Sequence, residues 1–164
     1  MRFVFRGQQN HAGTTMMARR RDAATALYEL AHRINQEFPQ AAGERTVWTM
    51  GRARIEPNAT SIVPGYAELD LQFRDASEAP LDAFESIAHR LVEEMNARGG
   101  VRIEASRTRA PVLPARMDAG RQKHIAAAAE QHAPGKWQRM PSGAFHDAGI
   151  VSASLPSGML FIPS

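Results

Sequence analysis

The chain opens with an alternation in which Phe3 and Phe5 stand between more polar neighbours, the period of a short strand over residues 1–8. A polar, glycine-containing turn runs from Asn10 to Thr15, and Thr14 or Thr15 is expected to cap a helix. That helix is predicted by apolar positions at three- and four-residue spacing, Met17, Ala24, Leu27, Leu30, Ala31, Ile34 and Phe38, with Pro39 and Gly43 expected to stop it. Residues 45–55 read as a second strand. After the stretch Pro57 to Pro64 a third strand alternates cleanly, with Ala67, Leu69, Leu71 and Phe73 on one side and Glu68, Asp70, Gln72 and Arg74 on the other. Pro80 is expected to open a second helix with Leu81, Phe84, Ile87, Ala88, Leu91 and Met95 inward. Gly99 and Gly100 end it, and Val101, Ile103 and Ala105 form a fourth strand.

The order βαββαβ predicts an α+β fold, a ferredoxin-like sandwich over residues 1–112 with both helices on one face of the sheet and a polar face left open. Beyond Pro111 and Pro114 the pattern changes. An Ala-rich helix over Ile125–Gln131, the segment Trp137–Met140, a Ser-Gly loop and a short apolar strand over Met159–Ile162 make residues 113–164 read as part of a second domain. With strand-like alternation at one end and an apolar run at the other, both termini are expected to lie inside a longer protein.

Composition adds exclusions. Hydrophobic residues at 43% and charged residues at 23% are those of a folding chain. Twenty Lys and Arg against 17 Asp and Glu leave a net charge of +3, a weak footprint for nucleic acid, and none is expected as a partner. An RNA platform expects surface aromatics on the middle strands, but Phe73 and Leu71 fall on the apolar side and Glu68 and Asp70 on the polar one, which argues against it. No cysteine is present, so thiolate metal sites and cysteine nucleophiles are excluded and a reducing, cytoplasmic setting is expected. No apolar run approaches a membrane span, and no membrane partner is expected.

Several residues carry candidate chemistry. His11 lies between a strand and a helix start, where it can donate to a carbonyl or carboxylate; a plain surface histidine is the alternative. Arg19, Arg20 and Arg21 point in different directions around a helix and read as solvated or ion-paired. Arg74, at the end of the alternating strand, can fork onto a carboxylate, or pair with Asp70 or Glu68 on its own face. The tight loop from Ser142 to Asp147 delivers His146 and Asp147 to a helix start, as a catalytic histidine or as a buried histidine beside a capping aspartate. His89, His124 and His132 fall among polar helical neighbours and read as surface residues, and no metal-ligand spacing such as HExxH is present.

Three segments in order, NHAGTTMMARRRDA (10–23), PNATSIVPG (57–65) followed by LQFRD (71–75), and MPSGAFHDA (140–148) followed by PSGMLFIPS (156–164), resemble motifs of the N-carbamoyl-L-amino-acid hydrolase, β-ureidopropionase and allantoate amidohydrolase family. The resemblance spans almost the whole chain. It implies a ferredoxin-like lid that also forms a homodimer interface, followed by a returning piece of an α/β zinc-peptidase-like catalytic domain. It implies that His11 and Arg74 bind substrate, commonly completing the partner subunit's site, and that His146, with Gly143 and Ala144 of its loop, holds the substrate or its transition state. The implied substrate is a small carboxylate-bearing carbamoyl or ureido compound, and the implied cofactor is zinc or manganese. The metal ligands would lie outside this chain, which is expected to hold no complete metal site and to be inactive by itself. Met16 stands where the family usually has Pro, Phe145 where it often has Gly, and Ser61 where it has Asn, with Asn58 just before. A lid from a related aminoacylase or peptidase, and a non-catalytic dimerisation module, are the rival readings.

Overall fold

The computed structural model describes residues 1–162, which divide into two compact units, Met1–Val112 and the chain from Leu113 onward. In the first, the elements are β1 (Arg2–Arg6), β2 (Asn10–His11), α1 (Ala23–Ala41), β3 (Val47–Glu56), β4 (Ile62–Val63), β5 (Tyr66–Arg74), α2 (Glu78–Ala97) and β6 (Arg102–Ser106). β1 runs antiparallel to β5 on one side and to β6 on the other, and β3 pairs outside β5, giving the order β3-β5-β1-β6. This is the ferredoxin-like sandwich that the alternation predicts. A separate two-stranded ribbon, β2 with β4, was not expected.

One face of the sheet is dry because the strands supply Phe3, Phe5, Ala67, Leu69, Leu71 and Ile103 to it. α1 answers with Leu27, Leu30, Ile34 and Phe38, and α2 with Phe84, Ala88, Leu91 and Met95. Phe38 and Phe84 stack with centroids 3.8 Å apart, and Trp48 and Phe73 meet them edge-on at 5.6 to 6.2 Å. This aromatic cluster closes the end of the sandwich where α1 finishes and α2 begins. Across the helices' outer faces, Arg33 reaches Glu94, Arg90 reaches Glu37 and Arg98 reaches Glu29. Such exposed pairs contribute little each.

The helix boundaries differ from the sequence expectation. α1 starts at Ala23, not near Met17, because the Asp22 carboxylate accepts from the amides of Ala24 and Thr25. Neither Thr14 nor Thr15 caps it, and Met17–Arg19 form a separate 3₁₀ turn. Pro39 does not stop α1. It sits within the last turn, where it forfeits one backbone bond while buried Phe38 holds the helix to the core. α2 begins at Glu78, so Pro80 occupies its first turn, where an amide has no intrahelical partner to lose.

The opposite face of the sheet is an ion-pair lattice. Arg2 forks onto Asp70 (Nε to Oδ1 2.7 Å, Nη2 to Oδ2 2.9 Å), and Arg52 donates to the same carboxylate at 3.1 Å. Glu68 is buried beneath these arginines; it accepts from the Tyr66 hydroxyl at 2.6 Å, and its second oxygen faces Arg52 across 3.2 Å without an aligned hydrogen bond. The hydrogen bonds from Arg2 do most to hold the Asp70 carboxyl down to about 2; burial opposes them, and the hydrogen bond from Arg52 adds a smaller lowering.

In the second unit, α3 (Ala119–His132) is longer than expected, capped by Asp118, whose carboxylate accepts from the Arg121 amide, and α4 (Asp147–Val151) is short. Met159–Ile162 is not a strand, because no other strand of this unit lies among the described residues to pair with it. Among the described residues no helix is long and apolar enough to cross a membrane.

Phe84→Ala should lower the unfolding free energy by about 3–5 kcal/mol in urea titrations, since it opens a cavity in the middle of the aromatic cluster. Asp70 titrates lower in the folded state than in the unfolded one, so its contribution is complete above about pH 4 and is lost as pH falls toward 2. Asp70→Asn should therefore remove on the order of 1 kcal/mol of acid-dependent stability, the pair being partly screened by solvent. Denaturation midpoints measured between pH 2 and 5 check this.

Candidate functional site

The chain leaves β1 at Gly7 and enters β5 at Gly65, and the two points touch: the Gly7 amide donates to the Gly65 carbonyl at 2.8 Å. The Gln8 amide donates to the Arg21 carbonyl at 2.8 Å, and the Ala23 amide to the Pro64 carbonyl at 3.0 Å. Neither glycine has room for a side chain. A Cβ on Gly7 would sit 2.0 Å from the Arg21 oxygen, and one on Gly65 would sit 2.7 Å from the Gln9 nitrogen. Beyond this crossing the β2–β4 ribbon pairs His11 with Ile62, and the Ala12 amide donates to the Ser61 carbonyl at 2.8 Å.

His11, Ser61 and Asn58 are thus gathered at one end of the first unit, all exposed, with Asn58 in a left-handed conformation (φ 58°) that asparagine tolerates. His11 is not at the helix N-terminus expected from the sequence; it is on a strand, with the 3₁₀ turn between it and α1. Its Nδ1 accepts from the Gly13 amide at 3.1 Å, so the neutral ring carries its proton on Nε2. His11 therefore offers an N–H donor from an exposed edge, suited to a carbonyl or carboxylate oxygen. Arg20 is half-buried and, among the described residues, makes no ion pair: it donates to the Thr15 carbonyl at 3.0 Å and to the Ala12 carbonyl at 2.5 Å.

Arg74 lies elsewhere. It is the last residue of β5, paired with Val47, whereas the His11 ribbon adjoins the Tyr66 end. The two ends of β5 are roughly 26 Å apart at the ordinary rise of a strand. Asp70 and Glu68, proposed partners for Arg74, are taken by Arg2 and Arg52. With its amide turned so that the oxygen faces the guanidinium, Gln72 accepts from Arg74 at 2.7 and 3.1 Å.

In the second unit the loop Ser142–His146 is tied by Ser142, whose hydroxyl lies 2.6 Å from His146 Nε2 and accepts from the Ala144 amide at 3.2 Å. Gly143 and Ala144 are exposed between them, and Phe145 points outward, 63% exposed. His146 is the residue before α4, with Phe161 5.4 Å from its ring. Ser142 escaped the sequence reading. Its four-residue spacing from His146 was the available signal, and a serine in a Ser-Gly loop is too ordinary to announce a histidine partner. Among the described residues no group of three or more His, Asp or Glu side chains is placed to hold a metal ion, and His89, His124 and His132 are exposed.

Residues 1–101 match the family model described as the peptidase dimerisation domain. An uncharacterised hydrolase from Haemophilus influenzae is 34% identical over 97% of this chain and 38% of its own length. The allantoate amidohydrolase of Escherichia coli is 31% identical over 96% of this chain and 38% of its own. Among solved structures, an amidase of the hydantoinase/carbamoylase family from Burkholderia phymatum superposes with a TM-score of 0.89 at 46% identity, covering 94% of this chain and 38% of that one. The chain therefore spans 38% of the length of the curated relatives just described.

The β1–β5 crossing generates a prediction of its own. Gly7→Ala should cost about 1–3 kcal/mol in chemical denaturation, and amide resonances of residues 9–15 should shift while those of α2 stay in place.

Proposed function

Because the chain belongs to the peptidase dimerisation domain family, we propose that it is the self-pairing, substrate-gripping lid of an amidohydrolase cleaving linear carbamoyl or ureido C–N bonds. The observation that carries this reading is the separation of its donors. A small substrate cannot span the roughly 26 Å from the Tyr66 end of β5, beside His11, to Arg74, so one lid cannot apply both to one molecule. Two lids in a symmetric dimer can, each contributing one end to each site.

In that arrangement the Arg74 guanidinium forks onto the substrate carboxylate, which fixes the molecule's orientation. The Nε2–H of His11 from the partner copy donates to a carbonyl or carboxylate oxygen, and Ser61 and Asn58 line the same edge. His146, with Gly143 and Ala144, holds the scissile group as it becomes tetrahedral, its ring oriented by Ser142. The family resemblance implies zinc or manganese, but the described side chains do not fit a metal centre. Within this chain the work is binding and orientation.

A mixing experiment tests the proposal. In the full-length enzyme, His11→Ala and Arg74→Ala should each strongly lower ammonia release from N-carbamoyl amino acids or allantoate, Arg74→Ala chiefly by raising KM for the carboxylate substrate. Subunits of the two variants, dissociated and reassociated together, should recover about a quarter of wild-type activity, because half the dimers are mixed and each restores one of two sites. No recovery on mixing, with both variants folded and dimeric, would mean that one subunit supplies both residues.

A further inference from the structure

We infer that Arg20 is a positioning residue that fixes which nitrogen of His11 carries the proton offered to substrate. The inference rests on the reading of His11 as a substrate donor. The turn after β2 presents two carbonyl oxygens, those of Ala12 and Thr15, to a single guanidinium: Nε of Arg20 donates to Thr15 and Nη2 to Ala12. Two carbonyl dipoles aimed at one point repel unless a cation stands between them. Arg20 fills that place, half-buried, and among the described residues no carboxylate lies within 4.0 Å of it. Arg2, Arg52 and Arg107, by contrast, all face acids.

The consequence passes through the backbone. With Ala12 and Thr15 held, the Thr15 amide returns to the His11 carbonyl at 3.2 Å, and the intervening Gly13 amide points at His11 Nδ1. That hydrogen bond keeps Nδ1 an acceptor and leaves the proton on Nε2, the outward edge. Without Arg20 the turn loses the side-chain tie that joins both carbonyls, and the ring is free to exchange tautomers. Lysine cannot substitute fully, since its ammonium is a point charge without the planar pair of separated donors.

The test has two readouts. In the ¹⁵N-labelled 164-residue chain, ring-nitrogen shifts of His11 above its titration should report a single Nε2–H tautomer in wild type and a mixture in Arg20→Ala. If Arg20→Ala loses the dispersed spectrum of a folded chain, Arg20→Lys is read in its place and should show a smaller shift in the same direction. An unchanged tautomer and unchanged Gly13 and Thr15 amides in the folded variant overturn the inference. In the full-length enzyme, Arg20→Ala should lower kcat/KM about ten- to a hundredfold, and the double variant with His11→Ala should be no slower than His11→Ala alone. Additive losses would mean that Arg20 acts independently of His11, which also overturns it. Should His11→Ala leave kcat/KM unchanged, the substrate-donor reading of His11 fails, while the ring-nitrogen spectrum still decides what Arg20 does to the turn.

Discussion

Where β1 ends and β5 begins, the backbone passes so close to itself that no side chain fits at Gly7 or Gly65. Three backbone hydrogen bonds at that crossing join four segments: the exit of β1, the entry of β5, the turn before α1 and the start of α1 itself. The crossing continues the antiparallel ladder of β1 and β5 by one step beyond the Arg6–Tyr66 pair. The direction in which α1 sets off follows from it, since the Ala23 amide is already bound to Pro64 and Asp22 can then cap the next turn. The β2–β4 ribbon is what remains of the chain once both strands have been brought together.

The rest of the dimerisation domain keeps its two ends at a fixed distance. Buried aromatic rings stiffen the Arg74 end, while the backbone crossing stiffens the His11 end. Between them, the lattice of Arg2, Asp70, Arg52 and Glu68 locks three neighbouring strands on the polar face. Its charges are engaged with one another, and the aromatic on that side, Tyr66, is tied to Glu68 and lies beneath Arg6.

The alternation Ala67, Leu69, Leu71, Phe73 and the helical spacing of Leu27, Leu30, Ile34 and Phe38 were legible because burial imposes a period on the sequence. The α1 start was not, since Thr14, Thr15 and Asp22 are all competent caps and the choice among them is made by the backbone crossing, a contact remote in sequence. A two-residue ribbon leaves no periodic trace. Arg20 misled because a run of arginines is usually solvated, and only the fold shows two carbonyls converging on one of them. Met159–Ile162 had the composition of a strand, but a strand is a relation between two segments and its partner cannot be read from one of them. The placement of His11 and Arg74 at opposite ends was implicit in the length of β5, yet it became visible only once β2 was fixed at the Tyr66 end.

Three of the candidate site residues, His11, Arg74 and His146, share one structural circumstance: each stands at a junction. His11 is in a two-residue strand that ends in a turn, Arg74 is the last residue of β5, and His146 immediately precedes α4. A side chain in mid-element is held firmly but surrounded by its neighbours, and one in a long loop is open but loose. At a junction the backbone is fixed on one side by regular hydrogen bonds while the other side stays open to a ligand, which keeps the ordering cost of binding low. Small polar ties then complete the constraint: Gly13 and Arg20 for the His11 turn, Gln72 for Arg74, and Ser142 for His146. None of these ties buries much area, so their effect should fall on the orientation of the donors more than on the stability of the fold.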